Sequence, residues 1–118
     1  MVLGETRKPL TELRRGVIEH CVLALVRDRD GYAFDLVRVL SARGLLAGEG
    51  TIYPLLARLR RDGLVQTTWR ESDAGPPRRY YRATAQGRRA LESFAADWSS
   101  FRDAVDAVLT DPSSGGDR

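Results

Sequence analysis

Hydrophobic positions along the chain change period several times, and each change marks an element. From about Leu10 to Asp28, Val17, Ile18, Cys21, Val22 and Leu25 fall on one helical stripe. Pro9 and Thr11 stand where a helix start signal belongs. The stretch RDRDGY breaks the pattern, with Gly31 read as a turn. A short second helix is predicted from about Ala33 to Arg43, with Leu36, Val37 and Leu40 as its buried stripe and Gly44 as its stop. A third begins near Glu49–Thr51, where Ile52, Leu55, Leu56 and Leu59 point in one direction. Pro54 restricts where that helix starts, because proline fits only in a first turn, where its missing N–H had no partner anyway. Asp62-Gly63 ends it.

The period then falls to two. Val65, Thr67 and Trp69 alternate with Gln66, Thr68 and Arg70, and RRYYRA supplies a returning strand. The connecting SDAGPP is dense in turn formers, and its two prolines predict a stiff, extended loop rather than a two-residue turn. A long helix follows, capped by Thr84 and reaching about Leu109. Its large apolar residues Leu91, Phe94, Trp98, Phe101, Val105 and Val108 are spaced three, four, three, four and three apart. That is the seam of a coiled coil, repeating every 3.5 residues on average. The tail DPSSGGDR predicts disorder.

Helix, helix, helix, hairpin, long helix is the order of a winged helix, a mainly α fold with a small two-stranded β wing and, here, a coiled-coil-like C-terminal helix. In that helix-turn-helix variant the second motif helix enters the DNA major groove. This assigns reading to residues 49–62 and the wing tip to residues 72–79. The expected organisation is a flexible arm over 1–9, a winged-helix domain over 10–83, a dimerisation helix over 84–109 and a disordered tail over 110–118.

Charge agrees with this placement. The chain has 118 residues and a net charge of +3. Between Glu49 and Arg82 there are seven arginines against four acidic residues, whereas from Ala83 to Leu109 there are three against four. The positive excess therefore sits on the predicted reading helix and wing. Arginine forks suit phosphates and guanine edges. At 42% hydrophobic and 30% charged the chain has the composition of a folded domain. No apolar run approaches the roughly 18–20 residues that span a bilayer, and the N-terminus lacks the apolar centre of a secretory signal. The expectation is a cytoplasmic protein with no membrane partner.

The segments LRRGVIEHCVLALV, GYAFDLVRVLS, EGTIYPLLARLRRDGLV and SDAGPPRRYYRATAQGRRAL, in this order and spacing, resemble the PadR family of bacterial transcriptional regulators over residues 10–109. GTIYPLLARLRRDGLV and GPPRRYYRAT are the most specific parts. One departure is Phe34, where the family often has a smaller or polar residue followed by Glu; Asp35 keeps the acidic character. The resemblance implies a homodimeric winged-helix DNA-binding protein, usually a repressor. A single C-terminal dimerisation helix is similar to the smaller PadR subgroup. The resemblance also implies that flat aromatic molecules can bind between protomers on aromatic side chains; Trp98 and Phe101 are the candidates, against plain packing.

Candidate DNA contacts follow from these placements. Thr51, Tyr53 and Pro54 lie at the start of the reading helix, which goes deepest into the groove. Thr51 has capping as an alternative role, and Tyr53 has packing on the first helix. Arg58 and Arg61 lie nearest the predicted exposed centre, with Arg60 at the edge of the core. Arg78 and Arg79 suit a minor groove or its phosphates, and strand alternation points them to opposite sides. Tyr80 and Tyr81 split likewise, one toward the core. Gly75 lets the wing turn or approach closely, and Trp69 is expected to pack on the core. Arg7, Lys8, Arg14 and Arg15 form a basic cluster, read as a solvated face that can add phosphate contacts. The dimer seam is Leu91, Phe94, Trp98, Phe101, Val105 and Val108, with packing on the chain's own first helix as its alternative.

The partners expected are double-stranded DNA with a pseudo-palindromic site and a second copy of the chain. No cofactor is expected. With one His, one Cys, no nucleophile–base constellation and no clustered metal ligands, an enzyme is not expected. The other function class open to the sequence is a winged helix that binds protein rather than DNA.

Overall fold

The structure is a computed structural model that describes the backbone of residues 3–46 and 49–111, and the side chains of 14–46 and 50–111. Arg7 and Lys8 of the basic cluster, and the tail beyond Asp111, are expectations whose side chains lie outside the described residues. The elements are α1 (Leu3–Leu25), β1 (Gly31–Tyr32), α2 (Ala33–Ala42), a single 3-10 turn (Glu49–Thr51), α3 (Ile52–Arg61), β2 (Val65–Arg70), β3 (Arg78–Ala83) and α4 (Ala85–Thr110). The helix α1 thus begins before the expected Leu10 and is helical through residues 3–9, where the sequence suggests an arm.

The wing is part of a three-stranded antiparallel sheet in the order β1-β3-β2, not a two-stranded one. The third strand is the two-residue β1, with Gly31 opposite Tyr81 and Tyr32 opposite Tyr80. Two residues are too few to show a period, so a turn is all the sequence displays there. The space fits the residue: a Cβ on Gly31 would stand 2.7 Å from Val26 Cγ1.

One core joins the elements. Ile18 and Val22 of α1, with Val26 just past its end, form a buried ridge at i, i+4, i+8, facing Leu36 and Leu40 of α2 and Ile52, Leu55, Leu56 and Leu59 of α3. Val65, Tyr81 and Ala83 close it from the inner face of the sheet, and Leu91 from α4. Burying a leucine of this kind contributes about 1.5–3 kcal/mol, so the four α3 residues anchor that helix.

An ion pair adds to the α1–α3 contact. Arg58 Nε donates to Glu19 Oε2 at 2.6 Å, with the two side chains only 28% and 20% exposed. Partial burial and a short distance make this pair stronger than the exposed bridges Arg27–Asp28 and Arg61–Asp62, both at 3.3 Å.

The end of α3 leads into both wing and α4. The Gly63 N–H donates to the Arg60 carbonyl at 3.1 Å and the Leu64 N–H to the Leu59 carbonyl at 2.9 Å. Together they close a Schellman motif, and its left-handed position is taken by Gly63 at φ 76°. Thr84 then ties α4 to this turn. Its hydroxyl donates to the Gly63 carbonyl at 2.7 Å and accepts from the Gly87 N–H at 3.0 Å, the cap expected of it. Contact is so close that a Cβ on Gly87 would lie 2.0 Å from the Leu64 carbonyl oxygen.

Two expected outcomes follow. Gly87→Ala sets a Cβ against fixed backbone and lowers stability by about 2 kcal/mol or more, read by urea unfolding; an unchanged midpoint would mean that α4 does not dock as described. For Glu19 and Arg58, a double-mutant cycle to alanine gives a coupling of roughly 1–2 kcal/mol. Additive single mutants would show the pair to be energetically silent.

Candidate nucleic-acid interface

The apolar stripe of α3 decides which of its side chains remain outside. With Ile52, Leu55, Leu56 and Leu59 turned inward, Tyr53, Pro54, Ala57, Arg60 and Arg61 are exposed. Pro54 stands in the first α-helical turn, after the 3-10 turn, so no interior hydrogen bond is lost. Thr51 precedes the helix with an αR backbone, and its side chain makes no capping bond. Its hydroxyl is exposed rather than spent on the cap. Tyr53 is 53% exposed, not packed on α1. Arg61 is exposed with only a surface bridge to Asp62. Arg58 differs: its guanidinium is turned toward α1 and held by Glu19. Arg60, expected at the core edge, is exposed.

The sheet places the wing arginines on opposite faces. Arg79 pairs with Trp69 and Arg78 with Arg70 in the ladder. The Arg79 guanidinium lies over the Trp69 ring at 4.7 Å, and its Nε is buried without a hydrogen-bond partner. Trp69 itself is 60% exposed, so it does not pack in the core as its alternation suggests. It shares a face with Val65 and Thr67, but the wing has run past the edge of the helices by that point. On the other face Arg78 covers Tyr32 at 4.8 Å and Arg70 covers Tyr80 at 4.6 Å. Tyr81 is buried and Tyr80 lies on this outer face. Gly75, in the connecting loop, has φ 130° with no neighbour within reach of a Cβ, so backbone conformation is its constraint and not close packing.

Between the start of α3 and the wing loop is a cleft of about 360 Å³, lined by Tyr53, Trp69, Pro76, Pro77 and Arg79 among others. Helix start and wing therefore flank one concave surface whose charged lining is arginine. No acidic side chain lines it among the described residues.

Two residues that position this surface are not evident from the sequence. Glu19 holds Arg58 from 39 residues away. Asp30, 17% exposed, accepts from Arg70 and, at 3.2 Å, from Arg82, which ties the base of the wing to the loop after α1. A single chain carries no local signal for such long-range pairs; an acidic residue at the edge of an apolar stripe is the only hint.

The seam of α4 divides. Leu91 is buried in the core. Phe94 stacks on His20 of α1 at 4.1 Å between centroids, and Trp98 stacks on Phe94 at 6.2 Å, both nearly parallel. The His20 Nδ1 lies 2.8 Å from the Gly16 carbonyl, which fixes the ring for stacking by accepting its N–H. Beyond Trp98 the seam is more open: Phe101 is 60% exposed and Val108 62%, with Val105 half-buried. Cys21 is half-buried, and burial pushes its thiol pKa up, which makes it an inert packing group. Among the described residues no cluster of three metal-ligating side chains occurs, and no helix is long and apolar enough to cross a membrane.

Comparison with known proteins bears on this arrangement. The model of the transcriptional regulator PadR-like family matches residues 22–93. The chain is 38% identical over 82 residues to the transcriptional regulator Rv3488 of Mycobacterium tuberculosis, covering 70% of this chain and 76% of the relative. A PadR-like transcriptional regulator from Bacillus cereus is 32% identical, with a TM-score of 0.75 over 90% of this chain and 99% of that one. The Bacillus subtilis PadR, solved in complex with operator DNA, shares the fold at 20% identity, with a TM-score of 0.62 over 67% of this chain and 46% of that one. These relatives are regulators and not enzymes, and on the family match and the sequence identity this chain belongs to the PadR-like family of transcriptional regulators.

Proposed function

We propose that the chain is a cytoplasmic, homodimeric repressor that binds a pseudo-palindromic operator. The observation that carries this reading is the exposed row Tyr53, Pro54, Arg60 and Arg61 on a helix clamped by its opposite face, with the arginine-bearing wing beside it. A family relative solved with operator DNA supports the same use of this fold. In the proposal the start of α3, with Thr51, Tyr53 and Pro54, enters the major groove. Arg61 and Arg60 reach phosphates or guanine edges. The wing tip around Gly75 lies on the flanking backbone or minor groove, where Arg78 and Arg79 supply charge. Arg58 acts through Glu19 by setting the roll of α3 on α1.

The dimer in this proposal forms along α4, whose outer half leaves Phe101 and Val108 uncovered. Exposed large apolar side chains along one helix face are a common mark of an association surface. Two reading helices would then meet successive major grooves about 10 base pairs apart. A flat aromatic effector, stacked between protomers on Trp98 and Phe101, belongs to the same proposal as the means of release.

Fluorescence anisotropy with the chain's own promoter DNA, at two salt concentrations, tests the DNA reading. The expected result is binding that falls steeply with salt and outcompetes random DNA. In Arg61→Ala the affinity falls by about tenfold or more, and the slope against salt drops by about one if the contact is to phosphate. No binding at low salt would abandon the DNA reading in favour of a protein-binding winged helix. Sedimentation tests the dimer: Phe101→Asp with Val108→Asp is expected to give folded monomers, since neither side chain is buried in the protomer. Persistence of the dimer would move the interface off α4.

A further inference from the structure

A second concavity lies on the other flank of α3. It is a groove of about 500 Å³ between α1 and the start of α3, within the range of small-molecule sites, roughly 300–1,000 Å³. Ile18, Leu45, Leu46 and Leu55 supply its apolar floor. Every apolar lining residue is aliphatic, so a bound molecule would be held by apolar contact and not by ring stacking. The rim carries Arg14, Arg15 and Arg58. Among the described residues one carboxylate, Glu19, answers these three guanidinium groups, through Arg58. Arg14 is turned by its Nη2 donating to the Leu45 carbonyl at 3.2 Å, a neutral acceptor, and no carboxylate pairs with it among the described residues. Arg15 has no partner among the described residues and is exposed. Among the described residues the groove therefore combines an apolar floor with net positive charge at its mouth.

We propose that this groove binds a small amphipathic anion, an aliphatic carboxylate of medium chain length. Its hydrocarbon would lie along Leu45, Leu46 and Leu55, and its carboxylate would meet Arg15 and Arg14. The wall of the groove at the entry to α3 is Gly50, Thr51 and Pro54, and Thr51 and Pro54 are assigned above to DNA. Occupancy then alters DNA affinity directly; this second part rests on the DNA reading, whereas the binding site does not. The site is distinct from the stacking position at Trp98, which lies on α4.

Isothermal titration of the full chain with sodium octanoate, in the absence of DNA, tests the site. The expected result is saturable binding at or below about 1 mM, with backbone amide shifts in an NMR titration centred on Leu45, Leu46, Thr51 and Leu55. Arg15→Glu should weaken binding at least about fivefold, and neutral 1-octanol should bind more weakly by a similar factor. No saturable binding overturns the proposal, as does equal binding of 1-octanol, indifference to Arg15→Glu, or shifts confined to α4. If Arg15→Glu instead changes the sedimentation of the protein and octanoate does not bind, the groove is filled by a second copy and the proposal falls. Linkage is read separately by promoter anisotropy with and without saturating octanoate, where a change of at least about threefold in Kd is expected. Octanoate bound in the groove with unaltered DNA affinity overturns the linkage alone. A chain that binds no DNA at all overturns the DNA reading and leaves the titration to decide the site.

Discussion

The rest of the structure depends on the burial of one side of α3. Ile52, Leu56 and Leu59 are almost wholly excluded from solvent, and rotating the helix about its axis would bring arginine into the core at a cost of several kcal/mol. Apolar contact alone tolerates some roll, because it has little direction. The Arg58–Glu19 pair is directional and sits at the edge of the stripe, where a small rotation lengthens it most. Stripe and ion pair together determine the direction in which Tyr53 and Arg61 face.

The two ends of α3 carry that orientation to the other elements. At the C-terminal end, the Schellman turn at Gly63 passes directly into β2, while Thr84 and Gly87 bring the start of α4 onto the same turn. Wing and α4 are thus referenced to one short piece of backbone. The wing is steadied further by Asp30, which joins Arg70 and Arg82 to the loop after α1, and by arginine–tyrosine contacts across its outer face. At the N-terminal end, Gly50, Thr51 and Pro54 separate two concavities, one facing the wing and one facing α1. Any molecule held in the second touches the turn that leads into the first.

The helix α4 serves the protomer and, in the proposed dimer, its partner. One regular apolar seam runs from Leu91 to Val108, yet its first half packs on α1 through the His20–Phe94–Trp98 stack and its second half carries the exposed Phe101 and Val108. Dimer interface and packing on the chain's own first helix are two accounts of one seam. In the protomer, the second account holds for Leu91 and Phe94, while Phe101 and Val108 are exposed. A heptad pattern reports that a face is apolar; packing decides which of its residues are covered within the protomer.

Much of this chain is legible without coordinates, for reasons that are local. The period of the apolar residues determines helix or strand, Gly44 and Gly63 mark the stops, Thr84 marks a cap, and the order of elements narrows the fold to a winged helix because few arrangements bury those stripes together. The row Tyr53, Pro54 and Arg61 follows from the same periodicity, since it is the complement of the buried stripe. Tertiary structure alone decided the rest. It drew Arg58 inward to Glu19, left Trp69 exposed under Arg79, recruited Gly31–Tyr32 as a third strand and divided the α4 seam. Each of these depends on partners tens of residues away or on where one element ends relative to another. Periodicity along a single chain records the face a residue occupies, whereas its partner is determined only once the elements are packed.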